Sequence, residues 1–206
     1  MESWKVLAVS SSKKRIEKIR VEALMADIYE QIQQWAQEAG ASHVRRIDRT
    51  QLKTFDYVRA YCVANACGYY GRCWTCPPNL GEPEELTAEL QSFAGGAVIQ
   101  NITKIEDSWD FEGMEAARRA HNQMMRSLAR QVTAEHPGHR VLALGGGACG
   151  YCETCTCPDA PCRAPEQAIA AVEGYGLDVK LLVESCGLSY VNGQNTVSYV
   201  GAVLVD

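Results

Sequence analysis

Between residues 14 and 39 the apolar positions Val21, Leu24, Met25, Ile28, Ile32, Trp35 and Ala39 return every three or four residues. That is the stripe of an amphipathic helix, and Gly40 supplies its stop. The period then shortens. In ASHVRRIDRTQLKTFDYVRAYC, residues 41–62, β-branched and aromatic residues alternate with polar ones, which predicts one or two strands ending at Cys62. GEPEELTAELQSF (81–93) predicts a short helix with Pro83 near its first turn and Leu86, Leu90 and Phe93 on one face. AVIQNITKI (97–105) predicts a strand. A second long helix is predicted over 111–134, with Phe111, Met114, Ala117, His121, Met124, Met125, Leu128 and Val132 at helical spacing and Asp110 as N-cap.

RVLAL (140–144) is a short apolar strand that runs into a run of glycines. Two short helices are expected at 166–173 and 178–186, and TVSYVGAVLV (196–205) is apolar on both faces, so it belongs inside a sheet. Four or five strands interleaved with two long helices predict an α+β fold. Its mixed β-sheet is covered by helices, in a single domain over 1–206, with a cysteine-rich, loop-rich lobe built from 62–78 and 145–165.

Composition changes the picture mainly by exclusion. The chain has 206 residues, 47% hydrophobic and 22% charged, with a net charge of −5. It can bury one ordinary core, and it has no basic field to attract nucleic acid or an anionic membrane. MESWKVLAVSSSKKR lacks the h-region and cleavage site of a secretory signal, and no run approaches a spanning length, so a cytoplasmic chain is expected.

Ten cysteines are many for such a compartment, where thiols stay reduced and disulfides are rare. Nine of the ten fall in two segments, Cys62-x4-Cys67-x5-Cys73-x2-Cys76-Pro-Pro and Cys149-x2-Cys152-x2-Cys155-x-Cys157-Pro followed by Cys162. Such clustering marks a metal or redox site. Cys149, Cys152 and Cys155 have the C-x2-C-x2-C rhythm of bacterial ferredoxins. The fourth ligand is open: Cys157 stands before a proline but too close, Cys162 lies further out, and Cys76 before Pro77 offers a crossover. Zinc on Cys73, Cys76, Cys149 and Cys152 is the alternative, but it leaves the other five thiols unused, whereas two [4Fe–4S] clusters use eight of the nine. Gly145, Gly146, Gly147 and Gly150 suit backbone N–H groups turned toward sulfur, and Tyr69, Tyr70, Trp74 and Tyr151 suit shielding and packing. Cys186 reads as a core thiol, the four histidines have no paired ligand spacing, and EDSWDFE reads as helix capping.

CGYYGRCWTCPP, GGACGYCETC, APCRAP and GYGLDVKLL together resemble a family of cysteine-rich predicted metal-binding proteins, the domain of unknown function 2284. The resemblance runs from about Cys62 to Leu188. It implicates Cys62, Cys67, Cys73, Cys76, Cys149, Cys152, Cys155 and Cys162, leaves Cys157 as a local addition, and favours two four-cysteine sites over one.

The expected function is that of a cytoplasmic iron–sulfur protein with two [4Fe–4S] clusters, passing single electrons to a redox partner protein or activating a partner enzyme. A second reading is an iron–sulfur enzyme with an open iron acting on substrate as a Lewis acid; no independent acid–base pair accompanies the cysteines. A third is a zinc-binding structural module or metal chaperone. No nucleotide-binding fingerprint is present. A bound flavin and a homo-oligomer both stay open.

Overall fold

In chain order the computed structural model, which describes residues 24–206, contains α1 (24–38 in its described part), β1 (His43–Asp48), α2 (Asp56–Val63) and α3 (Pro83–Ser92). β2 (Gly95–Lys104), α4 (Phe111–Glu135), β3 (Val141–Gly145), β4 (Ala170–Ala171), α5 (Val179–Ser185) and β5 (Thr196–Val205) complete the order. The first ten positions of the helix expected from residue 14 lie outside the described residues. The strands form one sheet in the order β1-β2-β5-β3-β4, antiparallel throughout except for the parallel pair β3–β4. This is the expected α+β class with a mixed sheet.

β5 pairs along its whole length with β2, from Thr196 opposite Lys104 to Val205 opposite Gly95, and on its other edge with β3. Its side chains alternate between two cores, as strand geometry requires. Val200, Ala202 and Leu204 face Leu86 and Leu90 of α3 and Leu182 and Val183 of α5. Val203 and Val205 face Ile28 and Ile32 of α1 and Met125, Leu128 and Val132 of α4. Helices therefore cover both faces, which is why this strand is apolar on both.

Helix ends follow the sequence signals. Pro83 opens α3, the Asp110 carboxylate accepts the Gly113 N–H at 2.8 Å, and the Asp178 carboxylate accepts the Leu181 N–H at 2.9 Å. The acidic stretch before α4 is thus a cap. α4 seats closely on the sheet because β5 has no side chain at Gly201, where a Cβ would come within 2.5 Å of the Leu144 carbonyl and 2.9 Å of Met125 Cε.

Two expectations are corrected. Residues 56–63 are the helix α2, not a strand, so Cys62 sits on a helical turn. The aromatic spacing that suggested alternation is an i, i+4 pair, Tyr57 and Tyr61, packed edge to face at 6.3 Å on an exposed surface. Residues 166–173 are not a helix either. Ile169 to Val172 are all buried, and Ala170 pairs with Leu144 as a parallel edge strand between two 3₁₀ turns. Tertiary pairing there overrides the helical propensity of an alanine-rich segment.

Leu204 is fully buried at the centre of the sheet. Leu204→Ala should cost about 2–5 kcal/mol, read as a lower midpoint in urea, whereas the same change at exposed Leu181 should stay within about 0.5 kcal/mol.

Candidate metal centre

The first cysteine segment begins in the last turn of α2. Cys62 is half-buried there, Cys67 is exposed on the turn beyond it, Cys73 is buried and Cys76 is half-buried. The loop is closed by its own backbone, with the Cys76 N–H donating to Cys73 O at 3.1 Å and the Gly71 N–H to Pro77 O at 2.9 Å. Arg59, one turn before Cys62, fastens α2 over it by donating to Gly174 O at 2.7 Å and Gly81 O at 3.0 Å.

The second segment leaves the end of β3 through Gly145, Gly146 and Gly147. Cys149, Cys152, Cys155 and Cys162 line one cavity of about 60 Å³, and Cys73 of the first segment and Arg118 of α4 line it too. Cys157 does not line it. Its buried thiol receives the Asn79 amide N–H at 3.1 Å and donates toward Gly71 O at 3.6 Å, so it packs into the first segment's loop. The indole N–H of Trp74 donates to Ala160 O at 3.0 Å, a further tie between the segments.

The thiols act on one another. Cys73 is held well below the ordinary thiol range, first by a hydrogen bond from Cys76 and then by donors from Thr75 and the Cys149 N–H, against the effect of burial. Cys76 is pushed up, because its proton is held in that bond, by burial, and by the fields of Cys73, Cys67 and Cys62. Burial, then Cys67 and Glu173, raises Cys62; burial, then Cys155 and Cys73, raises Cys157. Thiols that oppose one another's ionisation in this way are a set that a bound cation ionises together.

The residues that the sequence reading missed are on α4. Arg118, Asn122 and Arg126 stand at four-residue steps, all buried, on the helix face over the exit of β3. Asn122 accepts the Gly146 N–H at 2.9 Å and donates to Gly146 O and Ala148 O, both at 3.2 Å. Arg118, paired with Glu115 at 2.6 Å, donates to Ala148 O. Arg126 donates to Cys149 O at 2.6 Å and reaches Cys149 Sγ at 3.3 Å. Three polar residues interrupting the apolar face of an otherwise amphipathic helix were the available signal. Gly145 belongs to the same contact, since a Cβ there would lie 2.2 Å from Asn122 Oδ1.

Other nominated residues fall elsewhere. Cys186 caps α5 and is half-buried rather than fully buried, with burial raising its thiol. Tyr69 and Tyr151 are exposed and Trp74 is half-buried, so shielding from water is uneven. His121 is buried under Gly201, its Nδ1 bonded to the Asn101 side chain at 2.7 Å.

All ten cysteines are free thiols. Among the described residues no three His, Cys, Asp or Glu side chains stand in an arrangement that could hold a metal ion. The donor set nonetheless suits a sulfur-ligated centre. Four thiols line one cavity, and an Arg126 N–H, at 3.3 Å from Cys149 Sγ, and the Thr75 hydroxyl, at 3.3 Å from Cys73 Sγ, face individual sulfurs of the set. No helix among the described residues is long and apolar enough to cross a membrane.

Fold and site together define a cysteine-rich α+β protein in which two thiol segments meet beside the end of β3. The chain belongs to the family described as Predicted metal-binding protein (DUF2284), whose model matches residues 45–205, from within β1 to the last residue of β5. No curated protein and no solved structure matches it.

Asn122→Ala should remove four bonds to the loop at a cost of about 1–3 kcal/mol. Amide hydrogen exchange should quicken across residues 146–150 and stay unchanged across 62–76. A second expectation concerns acid. Burial holds His121 down to about 4, whereas an unfolded histidine titrates near about 6.5. The unfolded chain therefore takes a proton that the folded chain refuses, and stability falls as pH drops from about 6.5 toward 4. His121→Gln should flatten that part of a urea-midpoint profile.

Proposed function

We propose that the chain is an iron–sulfur protein carrying two [4Fe–4S] clusters, one on Cys62, Cys67, Cys73 and Cys76 and one on Cys149, Cys152, Cys155 and Cys162. It works in electron transfer to, or activation of, a partner enzyme. The observation that carries this reading is the one cavity lined by all four thiols of the second set, with Cys73 lining it too and Cys157 packed into the first segment's loop instead. Each cluster, once bound, supplies reversible one-electron storage.

The chain's own residues hold and insulate. α4 fixes the loop carrying Cys149 through Asn122 and Arg118, and Arg59 fixes the helix carrying Cys62. The N–H donors at sulfur favour the more negative, reduced state of a thiolate-bound centre. Free thiols in this number suit the reducing cytoplasm, with a redox partner protein approaching the exposed Cys67 side.

Zinc is the second reading, and one observation favours it. Cys73 lines the same cavity as Cys149 and Cys152, as a four-thiolate site drawing on both segments requires. The chain is then a structural module or metal chaperone.

Iron, acid-labile sulfide and zinc per anaerobically purified chain decide between them. About eight irons and eight sulfides are expected for two cubanes, with Cys162→Ser losing about half of each and Cys157→Ser losing none. Stoichiometric zinc without sulfide contradicts the iron–sulfur reading.

A further inference from the structure

Arg126 is only 6% exposed. Its Nε donates to Gln167 O at 2.6 Å, its Nη2 to Cys149 O at 2.6 Å and to Cys149 Sγ at 3.3 Å, and its guanidinium lies 5.4 Å from the centre of the Tyr151 ring. These partners are carbonyls, a thiol and an aromatic face. The ion pairs found among the described residues leave it aside: Glu115 is taken by Arg118 and Arg119, and Asp206 by Arg140. A guanidinium buried without an anion is costly, so its position calls for negative charge nearby. A neutral Cys149 thiol supplies none. Four metal-bound thiolates do, because a coordinating thiol is deprotonated outright.

The first segment is built differently. There Arg59 gives its guanidinium to the Gly174 and Gly81 carbonyls, at 2.7 and 3.0 Å. No arginine hydrogen bond to a first-segment sulfur is found among the described residues, whereas Arg126 stands 3.3 Å from Cys149 Sγ.

We propose that Arg126 is the built-in counter-cation of the centre on Cys149, Cys152, Cys155 and Cys162, and that it makes this centre the more easily reduced of the two. The inference rests on the iron–sulfur reading above. A fixed positive charge 3.3 Å from a ligand sulfur, in a medium of low dielectric, favours the state with one more electron. On reduction by dithionite, a one-electron donor, the first electron therefore enters this centre; no bond is made or broken and no proton moves. Arg126 acts as a positioning residue for charge and touches no substrate.

The test is a potentiometric titration with dithionite, followed by visible absorbance and electron paramagnetic resonance, on the full chain and on Arg126→Gln and Arg126→Lys, with iron and sulfide measured in each. The full chain should show two midpoints. Arg126→Gln should move the higher one to a more negative potential and leave the lower in place, and Arg126→Lys should keep the higher one near its original value. Midpoints unmoved in an iron-replete Gln variant, or movement of the lower one alone, would overturn the proposal. If the Gln variant loses iron, the Lys variant decides. Iron and midpoint regained with lysine support the role of charge, and loss equal to that of the Gln variant overturns it in favour of a residue that merely holds the loop. A full chain with no labile sulfide overturns the iron–sulfur reading itself, a result distinct from an unmoved midpoint.

Discussion

The contact between α4 and the loop that leaves β3 is the constraint on which the cysteine architecture depends. Gly201 lets the helix lie against the sheet, and Gly145 leaves room for the Asn122 side chain. From there Arg118, Asn122 and Arg126 satisfy the backbone of residues 146–149, a segment with no strand partner of its own. A loop lined by unpaired carbonyls is costly to bury. The buried stripe of α4 removes that cost and at the same time sets where Cys149 stands. The first segment meets this one where Asn79 donates to Cys157 and the Trp74 indole N–H donates to Ala160 O.

Without a metal the thiols are in mutual conflict. Cys73 is favoured as a thiolate chiefly because Cys76 keeps its proton, and Cys62 is pushed toward the neutral form by burial and then by its neighbours. Bound iron or zinc removes the conflict by replacing protons with one shared positive charge, so metal binding and the ordering of the two segments are coupled. The family's description as metal-binding is consistent with this chemistry. The proposal of two clusters and of electron transfer rests on the number and grouping of the thiols.

Legibility in the sequence followed the range of the forces involved. α3, α4 and β5 were readable because each has one local period, backed by Pro83, Asp110 or apolar residues on both faces. α2 was misread because most of its length is exposed, with Val58 its one buried residue, so no apolar stripe announced a helix. β4 was missed because its only reason to be a strand is the edge of β3, which lies about twenty-five residues earlier in the chain. The cysteines themselves were plain from spacing. The buried cations were not, since polar residues beside the apolar stripe of α4 gain a reason to be buried only when the loop they grip is in place. The opposite placements of Cys157 and Cys162 were likewise decided by contacts from Asn79 and Gly71, beyond the reach of local pattern.

The central claim is that eight thiols in two segments hold metal together while Cys157 and Cys186 do not. Alkylation of the native, anaerobically purified chain, mapped by peptide mass spectrometry before and after a chelator, tests it most directly. Cys62, Cys67, Cys73, Cys76, Cys149, Cys152, Cys155 and Cys162 should be protected until the metal is stripped and then become reactive together, while labelling of Cys157 and Cys186 stays unaffected by the chelator. Reaction of the second segment's four thiols at the same rate with and without chelator would contradict it.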